Sequence, residues 1–209
     1  MVKLPPPDIV IGRLPMYLRA LHAMSQEGIE VAASYELGQR LGISSAQIRK
    51  DLALFGDFGK QGTGYQISYL IEQLRTILQV NRNWAVIVVG AGHVGLALIN
   101  YGGFQAHGFH IEAIFDADPA KIGQSINGYT IQDVEGVQAY IQAHDIKFAM
   151  VATPAGAAQA ITDTLVEAGI QCILNYAPTS LAVPEGVYVQ DIDPVSKLQH
   201  MAYYVRDGA

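Results

Sequence analysis

Apolar residues recur at helical spacing through the first eighty positions and in short strand-like runs thereafter. Leu14, Tyr17, Leu18, Leu21 and Met24 mark one face of a helix that opens at Pro15 and stops before Gly28. Ser34 is placed to cap a second short helix ending near Leu41, after which Gly42 turns the chain. Ser44-Ser45-Ala46-Gln47 has the form of a capping box, so a third helix opens there and buries Ile48, Leu52 and Phe55. Gly56, Gly59, Gly62 and Gly64 then predict a tight hairpin. A fourth helix follows from about Gln66, with Leu70, Ile71, Leu74, Ile77 and Leu78 on its apolar side. Three helices, a glycine hairpin and a fourth helix is the order of a winged helix-turn-helix, here over residues 1–80.

Past the polar break Asn81-Arg82-Asn83, strands are predicted at 84–89, 111–116, 129–132, 148–153, 171–176 and 187–192. Helices are predicted at 93–101, 134–144, 156–168 and about 194–206. Val86-Ile87-Val88-Val89 and Phe148-Ala149-Met150-Val151 are apolar on both faces, as central parallel strands must be. The expected fold class is therefore α/β: a winged helix followed by a doubly wound Rossmann sheet over 81–193.

Composition narrows the class. Of 209 residues, 50% are hydrophobic and 15% charged, which supports a real core and excludes wholesale disorder. The stretch from Trp84 to Ile99 is too short for a membrane span and contains His93 and three glycines. The start has no charged-then-apolar signal pattern. The single cysteine, Cys172, excludes an internal disulfide and a cysteine-based metal cluster. A soluble, cytoplasmic protein without a metal centre is expected. Charge is uneven: residues through Val80 carry 8 Lys/Arg against 7 Asp/Glu, the remainder 5 against 12. The acidic whole leaves room for a basic face in the first part.

The strand ending at Val89 runs into Gly90-Ala91-Gly92-His93-Val94-Gly95 and then a helix. Gly90 permits the turn, Gly92 lets backbone approach a pyrophosphate, and Gly95 allows close helix packing. The next strand ends at Asp116, whose carboxylate suits two ribose hydroxyls and repels a 2′-phosphate, favouring NAD(H). Asp118, before Pro119, reads as a turn cap. Thr153-Pro154 closes the strand bordering the cofactor; an ordinary strand-to-helix turn explains it equally well. No proton donor for a dehydrogenase is evident. His93 is expected to face pyrophosphate or solvent, and the remaining histidines of this part suit surface or capping roles. Only about thirty residues follow the Rossmann core, too few for a substrate domain, so a sensor rather than an enzyme is indicated. A small NAD-dependent dehydrogenase or reductase and a CoA-binding Rossmann module are the alternatives; Asp116 argues against the second.

On the third helix, Ala46, Lys50 and Ala53 lie opposite Ile48, flanked by Gln47 and Arg49. Small residues beside long donors suit a helix entering the major groove of DNA. Ser44 and Ser45 could bond phosphate, and Arg13, Arg19 and Lys60 could add backbone contacts. Asp51 lies inward and suits an arginine partner.

Arg13-Leu14-Pro15-Met16-Tyr17, Ile48-Arg49-Lys50-Asp51-Leu52, the segment from Phe55 to Tyr65, the glycine loop, Phe115-Asp116-Ala117-Asp118-Pro119, Lys121-Ile122-Gly123 and Leu174-Asn175-Tyr176-Ala177-Pro178 together resemble the bacterial redox-sensing repressor family Rex. The resemblance implies a homodimer that binds an inverted-repeat operator when NADH is scarce and releases it when NADH binds. It implies that the last helix, 194–209, is exchanged between subunits. By the same likeness Tyr101 lies near the nicotinamide and Asp193 starts the swapped helix, while also serving as its N-cap. Pro194 replaces an apolar residue common in the family, and Leu198, Met201, Ala202 and Val205 form the stripe a partner would cover.

Overall fold

A computed structural model describes residues 5–60 and 64–205, excluding the Lys60 side chain. The chain forms two compact units, residues up to Arg82 and from Asn83.

In the first unit, α1 (Asp8–Ile11) precedes α2 (Leu14–Gln26), α3 (Ser34–Leu41) and α4 (Ser45–Ala53). A three-stranded sheet of β1 (Val31–Ala32), β2 (Gly59–Lys60) and β3 (Gly64–Gln66) and then α5 (Ile67–Ile77) complete it. The sheet order is β1-β3-β2, all antiparallel, so the predicted hairpin gains a third strand from the α2–α3 connection. Two residues of β1 carry too little pattern to be read from sequence. Leu14, Tyr17, Leu21 and Met24 are buried as the spacing predicts, with Leu37, Ile48, Leu52, Leu70 and Leu74. Phe55 lies past the end of α4 and is only half-buried.

Two capping expectations are corrected. Ala33, not Ser34, is the N-cap of α3, and its N–H donates to Glu36 at 2.7 Å. Ser44 caps α4 by accepting the Gln47 N–H, but the reciprocal bond of a capping box is not the one Gln47 makes. Its side-chain amide donates to Asp51 instead, at 2.7 Å.

The second unit holds a seven-stranded sheet in the order β10-β9-β8-β4-β5-β7-β6. The strands are β4 (Trp84–Val89), β5 (Phe109–Asp116), β6 (Ser125–Ile126), β7 (Tyr129–Asp133), β8 (Phe148–Val151), β9 (Cys172–Asn175) and β10 (Tyr188–Asp191). All pairings are parallel except β6 on β7. Helices α6 (His93–Ile99), α7 (Val137–His144), α8 (Ala155–Ala168) and α9 (Pro194–Ala202) accompany them. Val86, Ile87, Val88 and Val89 are all buried, two in each of the two hydrophobic clusters flanking the sheet. The strand order reverses between β4 and β8. A crevice at the carboxyl ends of those strands is where a doubly wound sheet binds ligands.

Candidate dinucleotide cleft and recognition helix

A cavity of about 950 Å³ opens at that reversal point. It is lined by the glycine loop (Gly90, Gly92, His93, Val94), the end of β5 (Asp116, Ala117, Asp118, Lys121), the β8 exit (Ala152, Thr153, Pro154), one face of α8, and Tyr176 with Pro178. Its volume suits a large organic ligand.

The glycine loop is shaped by contacts only glycine allows. Gly90 has φ +107°, and a Cβ there would stand 2.5 Å from the Ala152 carbonyl oxygen. A Cβ on Gly95 would stand 1.8 Å from the Gly90 oxygen, so α6 could not seat against its own loop. A Cβ on Gly92 meets nothing within 4 Å, and its φ of −84° is ordinary. No protein contact therefore requires glycine at 92, which lines the cleft.

Asp116 is 9% exposed, and three donors converge on it. Oδ2 accepts the Ala91 N–H at 2.7 Å and Lys121 Nζ at 3.1 Å, and Oδ1 accepts the Asp118 N–H at 2.8 Å. Burial opposes its charge, but the bonds from Asp118, Lys121 and Ala91 outweigh burial and hold the carboxyl below its usual range. The acid thus ties the glycine loop to the end of β5. Asp118 accepts the Ala120 N–H and caps the turn, as its place before proline predicts. Lys121 is the residue that motif reading left without a role; its signal was the fixed distance from Asp116. Thr153 Oγ1 is buried in the cleft wall with no hydrogen-bond partner among the described residues. An orphaned hydroxyl, a backbone cradle at Gly92 and a carboxylate at the end of β5 fit a dinucleotide.

Tyr101 and Asp193 do not line this cleft. Tyr101 is 61% exposed and packs edge-on against Phe104. Asp193 caps α9, accepting the Val195 and Ser196 N–H groups. Val195, Leu198 and Met201 of α9 are exposed and join none of the hydrophobic clusters. Cofactor contact by Tyr101 or Asp193 would need a movement or a second subunit.

In the first unit Ala46, Arg49, Lys50 and Ala53 are exposed on α4, while Ile48 and Leu52 are buried beneath them. The inner face is held by a polar cluster around Asp51, which is 1% exposed. Arg13 grips it with Nε and Nη2 at 2.7 and 2.8 Å, Tyr17 donates its hydroxyl at 2.6 Å, and Gln47 adds its amide. Burial raises the Asp51 pKa, but the bonds from Arg13, Tyr17 and Gln47 prevail and lower it. Arg13 and Gln47, expected to face DNA, are thereby directed inward as clamps that orient α4. Arg49 donates to Ser34 Oγ at 2.9 Å, Arg19 is exposed on α2, and Ser45 is half-buried at the start of α4. The Lys60 side chain lies outside the described residues.

A family model described as "Putative DNA-binding protein N-terminus" matches residues 7–53, and a CoA-binding domain model matches residues 81–179. A redox-sensing transcriptional repressor Rex of Roseiflexus sp. is 50% identical, over 96% of this chain and 91% of its own length. That of Streptomyces coelicolor is 42% identical, over 95% and 77%. The chain belongs to the Rex family. Rex proteins are repressors rather than enzymes. A Rex-family repressor, RSP, solved in complex with NAD⁺ and operator DNA has a TM-score of 0.91 at 35% identity, covering 96% of this chain and 93% of RSP. RSP in complex with NADH has a TM-score of 0.86 at 34% identity, covering 94% and 92%. The CoA-binding match spans the Rossmann core, including the glycine loop. No described helix is long and apolar enough to cross a membrane, and no group of three or more metal-ligating side chains stands together among the described residues.

Proposed function

We propose that this chain is a cytoplasmic, homodimeric repressor that binds an inverted-repeat operator and releases it when NADH occupies the cleft. The observation that carries this reading is the presence in one chain of an exposed cationic face on α4 and a glycine-loop cleft closed by Asp116. RSP, its structural relative, is described with operator DNA and NAD⁺ and separately with NADH.

In the first unit, Lys50 and Arg49 reach bases or phosphates from α4, Ser44 and Ser45 meet phosphate at its start, and Arg19 and Lys60 contact the backbone. In the second, Gly90, Ala91, Gly92, His93, Val94 and Gly95 bind pyrophosphate, Asp116 the adenosine ribose, and Thr153 and Pro154 border the nicotinamide half. Bound NAD(H) supplies a ring that is cationic when oxidised and neutral when reduced. The glycine loop and Asp116 grip what both forms share, so discrimination belongs at the nicotinamide end, where we place Tyr101 and the Asp193 brought by the exchanged α9. Residues 81–193 then form the sensor, and 194–209 the exchanged arm.

A gel shift with an AT-rich inverted repeat tests the reading. The protein should retard the repeat alone or with NAD⁺ and lose it with NADH; retention under NADH, or turnover of NADH with a simple carbonyl substrate, would overturn it.

A further inference from the structure

Asn175 closes β9 and is 1% exposed, and its amide makes three hydrogen bonds to partners from two different segments. Oδ1 accepts the Ala177 N–H at 3.0 Å, while Nδ2 donates to the Thr179 carbonyl at 2.7 Å and to Asp191 Oδ1 at 2.8 Å. The main-chain carbonyl of Asn175 also accepts the Ile192 N–H, at 2.8 Å. One set of partners belongs to the loop after β9, whose Tyr176 and Pro178 wall the cleft. The other is the root of α9, between the end of β10 at Asp191 and the cap at Asp193.

The far end of the same loop is tied as well. The Gln159 side chain both donates to and accepts from the main chain of Ala182, each at 2.9 Å. Gln159 lies on α8, which presents Ala157, Ala160, Ile161 and Thr164 to the cleft. The wall is therefore a braced segment rather than a slack loop. At the other extreme, α9 has no hydrophobic cover among the described residues, so within the chain its direction is set at its root. A buried amide left with an unsatisfied partner is costly, so wall and root are constrained to move together.

We propose that Asn175 is a positioning residue that couples the cofactor cleft to the root of α9, so that NADH in the cleft resets α9 and with it the release of DNA. The proposal rests on the repressor reading above. It adds that the signal runs from the cleft wall to the root of the chain's own α9 through an intrachain bond, Asn175 to Asp191.

The test reads coupling rather than binding. Operator affinity is measured with and without NADH for wild type, Asp191→Ala and Asp191→Asn, and NADH affinity with and without operator must report the same factor. Asp191→Ala should bind NADH and operator separately about as well as wild type. Its coupling factor, typically about 5–150-fold for such systems, should fall to within about twofold of unity. Asp191→Asn keeps an oxygen that can accept from Asn175 and should restore coupling. Wild-type coupling in Asp191→Ala would overturn the proposal. Hydrogen exchange of the wild-type chain decides it independently of DNA and of any variant's folding. NADH should change exchange at the Ala177 and Ile192 amides together, and a change confined to Ala177 would overturn it. If wild type itself keeps operator under NADH while both amides respond, the repressor reading fails and the Asn175 coupling stands.

Discussion

The Tyr17 hydroxyl donates to a carboxylate that is almost wholly buried, and both partners feel it. Burial, and then the bond to Asp51, push the Tyr17 phenol up from 10.0 to about 12. A raised folded-state pKa means that folding favours the protonated phenol. That contribution is complete below about pH 10 and is lost as pH rises towards 12. Asp51, shifted downward, behaves oppositely: its contribution is present above the ordinary carboxylate value of 3.8 and is lost as pH falls. Tyr17→Phe should cost on the order of 1–2 kcal/mol at neutral pH, as a charge-assisted bond disappears. It should also flatten the alkaline limb of urea-unfolding stability relative to wild type; an unaltered limb would show that other tyrosines carry it. Asp116 has an analogous double role. Asp116→Ala should weaken NADH and narrow its preference over NADPH in calorimetric titrations, because ribose acceptor and loop anchor vanish together. Unchanged selectivity would transfer the ribose to Asp118.

At the scale of elements, two glycines of one loop answer to different masters. Gly92→Ala should lose little melting temperature, no more than a weakened N-cap of α6 costs, and yet bind NADH poorly, because its methyl meets no protein atom and Gly92 lines the cleft. Gly95→Ala should lower the melting temperature as well, since its Cβ collides with the Gly90 carbonyl. Equal melting losses in the two variants would contradict this division. Helix α4 is divided in the same way, with Asp51 locking its inner side to α2 and leaving Lys50 outward. Lys50→Ala should abolish specific operator binding while leaving NADH affinity intact in fluorescence titrations. Operator binding at wild-type strength would remove Lys50 from the reading face.

At the scale of the whole molecule, sensing requires a free-energy difference between states. Moving an equilibrium from 1:99 to 99:1 takes roughly 5.5 kcal/mol of differential binding. Contacts shared by NAD⁺ and NADH contribute nothing to that difference. Asp193 is the acid to test, but its alanine variant would also remove the cap of α9. Asp193→Asn keeps an oxygen for the cap and removes the charge. It should bind NADH and operator separately while releasing operator only at much higher NADH. Release at the wild-type midpoint, followed by anisotropy of labelled operator, would show that the charge is not the sensor.

Periodicity alone was enough for the order of the longer helices and strands, since burial on one face or two writes itself into neighbouring positions; the short α1, β1 and β6 escaped it. Motif context likewise located the glycine loop, Asp116 and the outward face of α4, because backbone approach and helical phase depend on residues close in sequence. Features built from distant residues were not legible. The two residues of β1 become a strand only by pairing with β3. Asp51 was expected to meet an arginine, but that the arginine is Arg13, 38 positions away, emerges only when α2 and α4 pack. Asn175 was part of a recognised motif, but its junction with Asp191 exists only where β9 and β10 lie side by side. Local pattern encodes which face of an element is buried; which polar groups meet inside is decided when elements pack, because a buried donor must find its acceptor wherever the fold brings one.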